Sequence, residues 1–251
     1  MHIVTDSGTD VGLSPEQLEA LNIHIVPLVV TLDDQAYLEG VDITHEDFYN
    51  LLEATDSLPV TSQPSAGAFA ETYRRLAESD PEILSIHISS GLSGTLNAAK
   101  AGAELVPKAH VTHVDTKTLS AASGWEVRIA ARAAQAGWSV DRILPLLATV
   151  REASESIYTL KDLTYLIHGG RISHMKGLIA SVLKIKPLIG VEKENGTYVQ
   201  LGQARRFQRA IQGLVDLMER RHPPGSALRV QVLHASNPIG GKMLREPCGV
   251  T

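Results

Sequence analysis

Residues 83–100, which read I-L-S-I-H-I-S-S-G-L-S-G-T-L-N-A-A-K, constrain the fold more than any other part of the chain. The short apolar run predicts a buried strand, the small residues predict a turn, and the alanine-rich pattern predicts a helix. A turn that leads from a strand into a helix leaves unpaired N–H groups at the positive end of that helix. The stretch therefore predicts an anion site, suited to a carboxylate or a phosphate, at residues 89–95.

The first part of the chain alternates between strand-like and helix-like segments. Apolar or β-branched runs at residues 2–5, 23–32, 83–88 and 111–115 predict strands, and the segments between them have helical patterns. Such alternation is typical of a largely parallel sheet with helices on its faces. We therefore predict an N-terminal α/β domain over residues 1–157.

The pattern changes beyond residue 157. Asn195-Gly196 predicts the turn of a β-hairpin. Residues 185–200 predict the hairpin itself, and residues 163–168 and 175–183 predict two short helices. Residues 205–221 predict a basic helix, and residues 228–234 predict a further strand. The second domain, residues 158–251, is thus predicted as α+β with a mixed or antiparallel sheet.

Composition excludes several classes of function. The net charge of −5 and the lack of a basic run argue against nucleic acid as a partner. Cys248 is the only cysteine, which excludes a disulfide framework and favours a reducing cytoplasm. No segment approaches the roughly 18 uninterrupted apolar residues of a membrane span, and no signal peptide is predicted. Since no P-loop, zinc ligand set or GxGxxG fingerprint is found, we predict neither a cofactor nor a metal.

Ser93 has three interpretations. It lies between strand and helix like the nucleophile of a serine hydrolase, but the residue two positions later is Thr95 where the elbow motif requires glycine. It could simply cap the helix. The interpretation that we favour is that Ser93 caps the helix and holds a ligand carboxyl group without attacking it, because several neighbouring residues also carry hydroxyl groups.

A second loop, residues 61–65 (T-S-Q-P-S), has similar chemistry. Taken alone, it predicts a capped helix start. Ligands of doubly wound sheets bind where loops at the carboxyl ends of strands converge, so two such loops favour a ligand cleft. Asp6 and Ser7, at the end of the first strand, could complete the rim or fix the loop.

Two arginines are further candidates. Arg171 follows Gly169-Gly170, which predicts a glycine stop of a helix, but a rigid turn would also direct the guanidinium at an anion. Arg205 stands at the start of the predicted basic helix, where a cation is unfavourably placed against the helix dipole. A solvated basic face is the simpler explanation for Arg205.

Four motifs in this order resemble the DegV family of bacterial fatty-acid-binding proteins, which includes the acyl-carrying subunit of fatty acid kinase. They are V-T-D-S at residues 4–7, T-S-Q-P-S at 61–65, S-S-G-L-S-G-T at 89–95 and L-I-H-G-G-R-I at 166–172. The resemblance covers essentially the whole chain. It implies two domains and a buried, palmitate-like long-chain fatty acid.

The resemblance also implies roles for individual residues. The head group would be bound by Thr61, Ser62, Ser93 and Gly94, through hydroxyl and backbone N–H groups. Arg171 would contact the head group or act in phosphoryl transfer, and Arg205 would dock a partner. Relatives often have the sequence Gly-Lys-x-Arg in the segment that ends at Arg205, and this chain has Gln203 in place of the lysine.

The end of the chain departs from the family. Members usually continue into a segment with a histidine near the ligand carboxyl group, which residues 246–251 do not contain. Either the chain is truncated or diverged at its end, or this contact is absent. The consequence would be an incompletely covered second domain and weaker head-group binding.

We predict a cytoplasmic lipid-binding protein of fatty acid metabolism that is not itself an enzyme. It would present its ligand to a separate ATP-dependent kinase, which would form an acyl phosphate. The alternatives are a serine esterase or thioesterase that uses Ser93, and a fatty-acid carrier without a kinase role.

Overall fold

The computed structural model describes residues 1–172, 185–223 and 225–246, and these residues form two compact units. The first contains Met1–Ser156 together with Glu192–Thr197, and the second contains Ile157–Val191 and Tyr198–Thr251. The strands are β1 (His2–Asp6), β2 (Ile23–Val26), β3 (Val29–Leu32), β4 (Gln35–Leu38), β5 (Val60–Ser62), β6 (Glu82–His87), β7 (His110–Asp115), β8 (Ile157–Thr159), β9 (Lys186–Val191) and β10 (Tyr198–Ala204). The helices are α1 (Pro15–Ala20), α2 (His45–Ala54), α3 (Ala66–Leu76), α4 (Thr95–Glu104), α5 (Ser120–Gln135), α6 (Val140–Ala153), α7 (Thr164–His168), α8 (Phe207–Arg221) and α9 (Pro238–Arg245).

A four-stranded parallel sheet, in the order β2-β1-β6-β7, forms the centre of the first unit. Because successive side chains of a strand point to opposite faces, Ile3 and Leu84 pack toward α5 and α6. Their neighbours Val4 and Ile83 pack toward α3 and α4. Both faces of the sheet are therefore covered by helices, as predicted for an α/β domain.

The run at residues 23–32 forms two strands, where the sequence analysis predicted one. Pro27 lacks an N–H donor and interrupts the ladder. Residues before it form β2 of the parallel sheet, and residues after it form β3 of a separate antiparallel sheet, in the order β4-β3-β5. Asp33 and Asp34 both have positive φ, as in the tight turns that join antiparallel strands.

The second unit contains an antiparallel sheet in the order β10-β9-β8. Helix α8 packs on it, with Leu188, Ala210 and Leu214 in the shared core. The predicted hairpin turn is confirmed, and Gly196 has a φ of 67° there. This unit is α+β with antiparallel pairing, as predicted.

Outside the hairpin and α8, the second unit differs from the sequence prediction at a strand and at a helix. The strand predicted at residues 228–234 is wrong, since these residues have no ladder partner among the described strands, and a strand requires one. Helix α9 was missed because Gly240 and Gly241 obscured its start, which Asn237 caps by accepting a hydrogen bond from the Gly240 N–H at 3.0 Å. The helix predicted at residues 175–183 lies outside the described residues.

Among the described residues, no helix is long and apolar enough to cross a membrane.

A buried ion pair connects α5 and α6. The Glu126 side chain is fully buried, and its Oε2 accepts a hydrogen bond from Arg151 Nη2 at 2.9 Å. Burial raises the pKa of Glu126 from 4.5 to about 7, against the opposing effect of the hydrogen bond from Arg151. The folded protein therefore holds a proton that the unfolded chain releases between pH 4.5 and 7.

We predict that this carboxyl group makes the protein less stable as the pH rises. An acid with a raised folded pKa stabilises the fold below its unfolded pKa and loses that contribution as the pH rises through the folded value. From pH 4 to 8, the free energy of unfolding of the wild type should fall by about 3 kcal/mol relative to that of Glu126→Gln. Urea titrations across this range measure the difference, and parallel stability curves for the two proteins would contradict it.

Candidate functional site

The turn that follows β6, residues 89–94, is called the Ser93 loop here. The Ser89 carbonyl accepts hydrogen bonds from the N–H groups of Leu92 (3.0 Å) and Ser93 (3.1 Å), which closes a tight turn. Gly94, and not Ser93, is the N-cap residue of α4. The Ser93 hydroxyl lies 2.8 Å from Thr95 Oγ1 and accepts a 3.3 Å hydrogen bond from the Thr95 N–H. The predicted N-cap was therefore wrong by one residue.

Glycine at the N-cap leaves the start of α4 without a side-chain cap. The hydrogen bonds of the described residues provide no acceptor for the N–H groups of Gly94, Leu96 and Asn97. These donors stand at the positive end of the helix. The first turn of α4 thus has the chemistry of an anion site, as the sequence pattern indicated.

The second hydroxyl-rich loop, residues 61–65, is called the Thr61 loop. Its first two residues are the last two residues of β5 in the antiparallel sheet. The predicted position at the end of a parallel strand is therefore wrong. Thr61 and Ser62 are exposed. Ser65 caps α3 by accepting a hydrogen bond from the Ala68 N–H at 3.1 Å, so capping does not engage the Ser62 hydroxyl.

The two loops converge. A Cβ placed on Gly94 would lie 2.8 Å from both Oε1 and Nε2 of Gln63, so the Gln63 side chain rests directly on the start of α4. An open pocket of about 540 Å³ is lined by residues 61–66 and by Ala98, one turn into the same helix. Thr61 and Ser62 therefore share this pocket with Ala98 of α4, and Gln63 is the residue of the Thr61 loop that contacts the start of the helix.

Asp6 fixes the loops and does not form the rim of the site. Its side chain is fully buried, and Oδ2 lies 2.9 Å from His87 Nδ1 and accepts a hydrogen bond from the Ile88 N–H at 3.2 Å. Oδ1 accepts a further bond from the Gly8 N–H at 3.1 Å. This one carboxyl group joins the ends of β1 and β6, and the latter leads into the Ser93 loop.

The same network continues away from the loops. His87 Nε2 lies 2.7 Å from Ser85 Oγ, which lies 2.8 Å from the Tyr73 hydroxyl. The order Asp–His–Ser resembles a hydrolase triad, but Ser85 is fully buried and no substrate reaches it. Ser93 has no histidine partner in the part of the chain that the structure describes, because its hydroxyl bonds to Thr95. A nucleophile needs a base within hydrogen-bond reach, so this geometry does not favour hydrolysis.

Arg171 and Arg205 belong to the second unit. Helix α7 ends in a Schellman motif, in which the N–H groups of Arg171 and Gly170 donate to the carbonyls of Leu166 and Ile167, both at 3.0 Å. Arg171 is half-buried, and its Nη1 donates to the Gly169 carbonyl at 2.5 Å. Arg205 is exposed in the bend between β10 and α8. Because α8 begins at Phe207, two residues later than predicted, Arg205 precedes the helix.

No group of three or more His, Cys, Asp or Glu residues within the described ranges could hold a metal ion.

Sequence reasoning missed one neighbour of the Ser93 loop, the turn between β9 and β10. Residues 192–197 pack with the first unit, where the buried Ser89 hydroxyl donates to the Gly196 carbonyl at 2.8 Å. The Asn-Gly pair predicts the turn, but no local signal indicates what it packs against.

Comparisons with known proteins fit this arrangement. The model of the family described as "Uncharacterised protein, DegV family" matches residues 1–246. A DegV domain-containing protein of Staphylococcus aureus (strain N315) is 42% identical over 186 residues, which are 74% of this chain and 65% of that protein. The chain thus aligns with less than two thirds of the length of that relative.

Two solved structures show the same fold. DegV of Bacillus subtilis, described as a fatty acid binding protein, has 29% identity and a TM-score of 0.88, over 99% of this chain and 87% of that one. A stearic acid-binding protein from Eubacterium ventriosum has 28% identity and a TM-score of 0.77, over 88% of this chain and 76% of that one. The parallel sheet between helices and the separate antiparallel sheets define a mixed α/β protein with the fold of these structures. The chain belongs to the DegV family.

We predict that Asp6→Ala destabilises the fold by about 3 to 5 kcal/mol, because it leaves His87 and the N–H of Ile88 buried without their acceptor, and the partly buried N–H of Gly8 also loses its acceptor. Urea unfolding measures the loss. Asp162 is a matched control, since its carboxylate also accepts the N–H two residues later, from Thr164 at 3.0 Å, but at an exposed site. Asp162→Ala should cost about 1 kcal/mol or less. Equal losses for the two variants would contradict the role of Asp6.

Proposed function

We propose that this chain binds one long-chain fatty acid, with the carboxylate held between the first turn of α4 and the Thr61 loop. The observation that carries the proposal is the convergence of the two loops on unpaired N–H donors. The ligands named for solved relatives, fatty acid in one and stearic acid in another, are carboxylates with long tails and fit such a site. Thr61, Ser62, Ser93 and Gly94 are the proposed head-group residues.

The tail and the carboxylate of the ligand contribute differently to the free energy of binding. A tail of about fourteen methylenes contributes roughly 11 kcal/mol when buried, before the several kcal/mol that association costs. The carboxylate exchanges hydration for hydrogen bonds to hydroxyl and N–H groups, so its net contribution is smaller. We therefore propose that the tail supplies most of the affinity and that the two loops supply orientation and the preference for an acid.

We further propose that the chain has no catalytic activity of its own and presents the carboxyl group to a separate kinase. A carboxylate oxygen would attack the γ-phosphorus of ATP and release ADP, so that an acyl phosphate forms. ATP and its metal ion would be held by the partner. Arg171, oriented by the Schellman turn, is proposed to contact the head group or the transferred phosphoryl group. The exposed Arg205 is proposed to dock the partner.

Ser93→Ala should weaken retention of a fatty acid such as palmitate by about 1 to 3 kcal/mol, because the head group loses a hydroxyl partner. This is a roughly 5- to 150-fold increase in Kd, measured by equilibrium binding to delipidated protein. Ser139→Ala is a matched control, since Ser139 also stands at a helix start, is exposed and makes no side-chain cap bond.

Equal affinities of the wild type and the Ser93 variant would refute the head-group assignment of Ser93. Labelling of Ser93 by a fluorophosphonate probe, with hydrolysis of an acyl ester, would instead support a serine esterase.

Arg171→Ala and Arg205→Ala should keep normal lipid content but lose most acyl phosphate formation with a cognate kinase, because the tail is proposed to supply most of the affinity, whereas the two arginines are proposed to act at the carboxyl or phosphoryl group and at the partner. Bound lipid is measured by mass spectrometry, and acyl phosphate is measured by trapping with hydroxylamine. Arg74→Ala is the control, since Arg74 is exposed and pairs with Glu71 on its own helix, α3, at 2.7 Å.

Two outcomes would change this assignment. Loss of lipid in both arginine variants would place them in the ligand pocket. Failure of every co-resident kinase to act on the wild type would leave a carrier without a kinase role.

A further inference from the structure

We propose that the turn between β9 and β10, residues 192–197, is a positioning element that holds the Ser93 loop in its anion-binding conformation. The inference rests on the proposed function and extends it to residues that do not contact the ligand. Although β9 and β10 belong to the second unit, this turn packs within the first. The positioning residues are Ser89, Gly91 and Gly196.

The turn and the loop meet backbone to backbone, without room for a side chain at two glycines. A Cβ on Gly91 would lie 2.3 Å from the Asn195 carbonyl oxygen and 2.9 Å from that of Gly196. A Cβ on Gly196 would lie 2.0 Å from Ser89 Oγ, and the φ of 67° at Gly196 independently favours glycine. Backbone atoms cannot move aside as a flexible side chain can, so the contact at Gly91 fixes the distance between turn and loop.

Ser89 connects this contact to Ser93. Its buried hydroxyl donates to the Gly196 carbonyl at 2.8 Å and accepts from the Gly91 N–H at 3.1 Å. Its own carbonyl accepts the N–H groups of Leu92 and Ser93. A displacement of the turn therefore acts on Ser89, and through the Ser89 carbonyl on the backbone that places Ser93.

Hydrogen bonds within the turn fix its conformation, as a positioning element requires. The Glu192 carboxylate accepts hydrogen bonds from the N–H groups of Glu194 (2.8 Å) and Asn195 (3.0 Å), and from the Thr197 hydroxyl at 3.0 Å. The Gly196 N–H also donates to the Glu192 carbonyl at 3.0 Å. The surface that the turn offers to the Ser93 loop is thus fixed before a ligand arrives, which limits the ordering that binding requires.

A positioning role predicts a loss confined to the head group. Donors that are displaced by about 1 Å bind a carboxylate poorly, whereas burial of the tail does not depend on them. Hexadecanol has the same tail as palmitate but carries no charge, so it reports the contribution of the tail. A general loss of structure would weaken both ligands, whereas a shifted Ser93 loop weakens palmitate alone.

The test measures palmitate and hexadecanol binding to delipidated wild type, Gly91→Ala and Ser89→Ala. We expect both variants to bind palmitate roughly tenfold more weakly and hexadecanol with less than about a twofold change. Ser89→Ala introduces no clash, so it keeps the test decisive if Gly91→Ala does not fold. Gly67→Ala on α3 is the control, since a Cβ there would meet only Ser65 Oγ at an ordinary 3.6 Å.

Two results would overturn the inference: unchanged palmitate affinity in a folded Ser89→Ala protein, or an equal loss for both ligands. A wild type that binds neither ligand would contradict the proposed function itself, so the two failures can be told apart.

Discussion

The hydrogen bonds of the buried Asp6 carboxylate are the interaction on which the candidate site depends. This one group joins the ends of the two central strands, because it contacts His87 and the N–H of Ile88 across the sheet. A buried carboxylate without partners would be costly, and here each oxygen has at least one. The position of the Ser93 loop follows, since that loop begins one residue beyond Ile88.

The candidate site consists of N–H donors that the fold leaves unpaired. The start of α4 has a glycine where most helices place a capping side chain, so its N–H groups remain available to a ligand. The Gln63 side chain contacts that glycine, so the Thr61 loop adjoins the start of α4. In the proposed function, the charge preference of the site and the burial of an apolar tail are separate properties, so that one site could accept acids of different length.

Local signals predicted much of the fold and some of the site. The apolar run and the alanine-rich pattern correctly predicted β6 and α4, because burial and helical periodicity are properties of neighbouring residues. The glycine stop of α7 before Arg171 was also predicted correctly, because it too depends on neighbouring residues. Pro27 is a strand-interrupting residue that can be recognised in the sequence. Because β-branched residues lie on both sides of it, however, the run was predicted as one strand and the change from the parallel to the antiparallel sheet was not predicted.

The remaining features depend on residues distant in the chain. No pattern around residues 228–234 shows that a ladder partner is missing, and no pattern around Asn195 and Gly196 shows that their turn packs on Gly91. The choice of Gly94 over Ser93 as N-cap was a difference of one residue, the usual precision of helix boundaries.

The most direct test of the central claim is the mass of the freshly purified protein under native conditions, together with mass spectrometry of its solvent extract. Fatty-acid binding predicts a complex with one fatty acid per chain, and the extract would identify the length of its tail. A chain that is purified without lipid and does not take up added palmitate would contradict the claim.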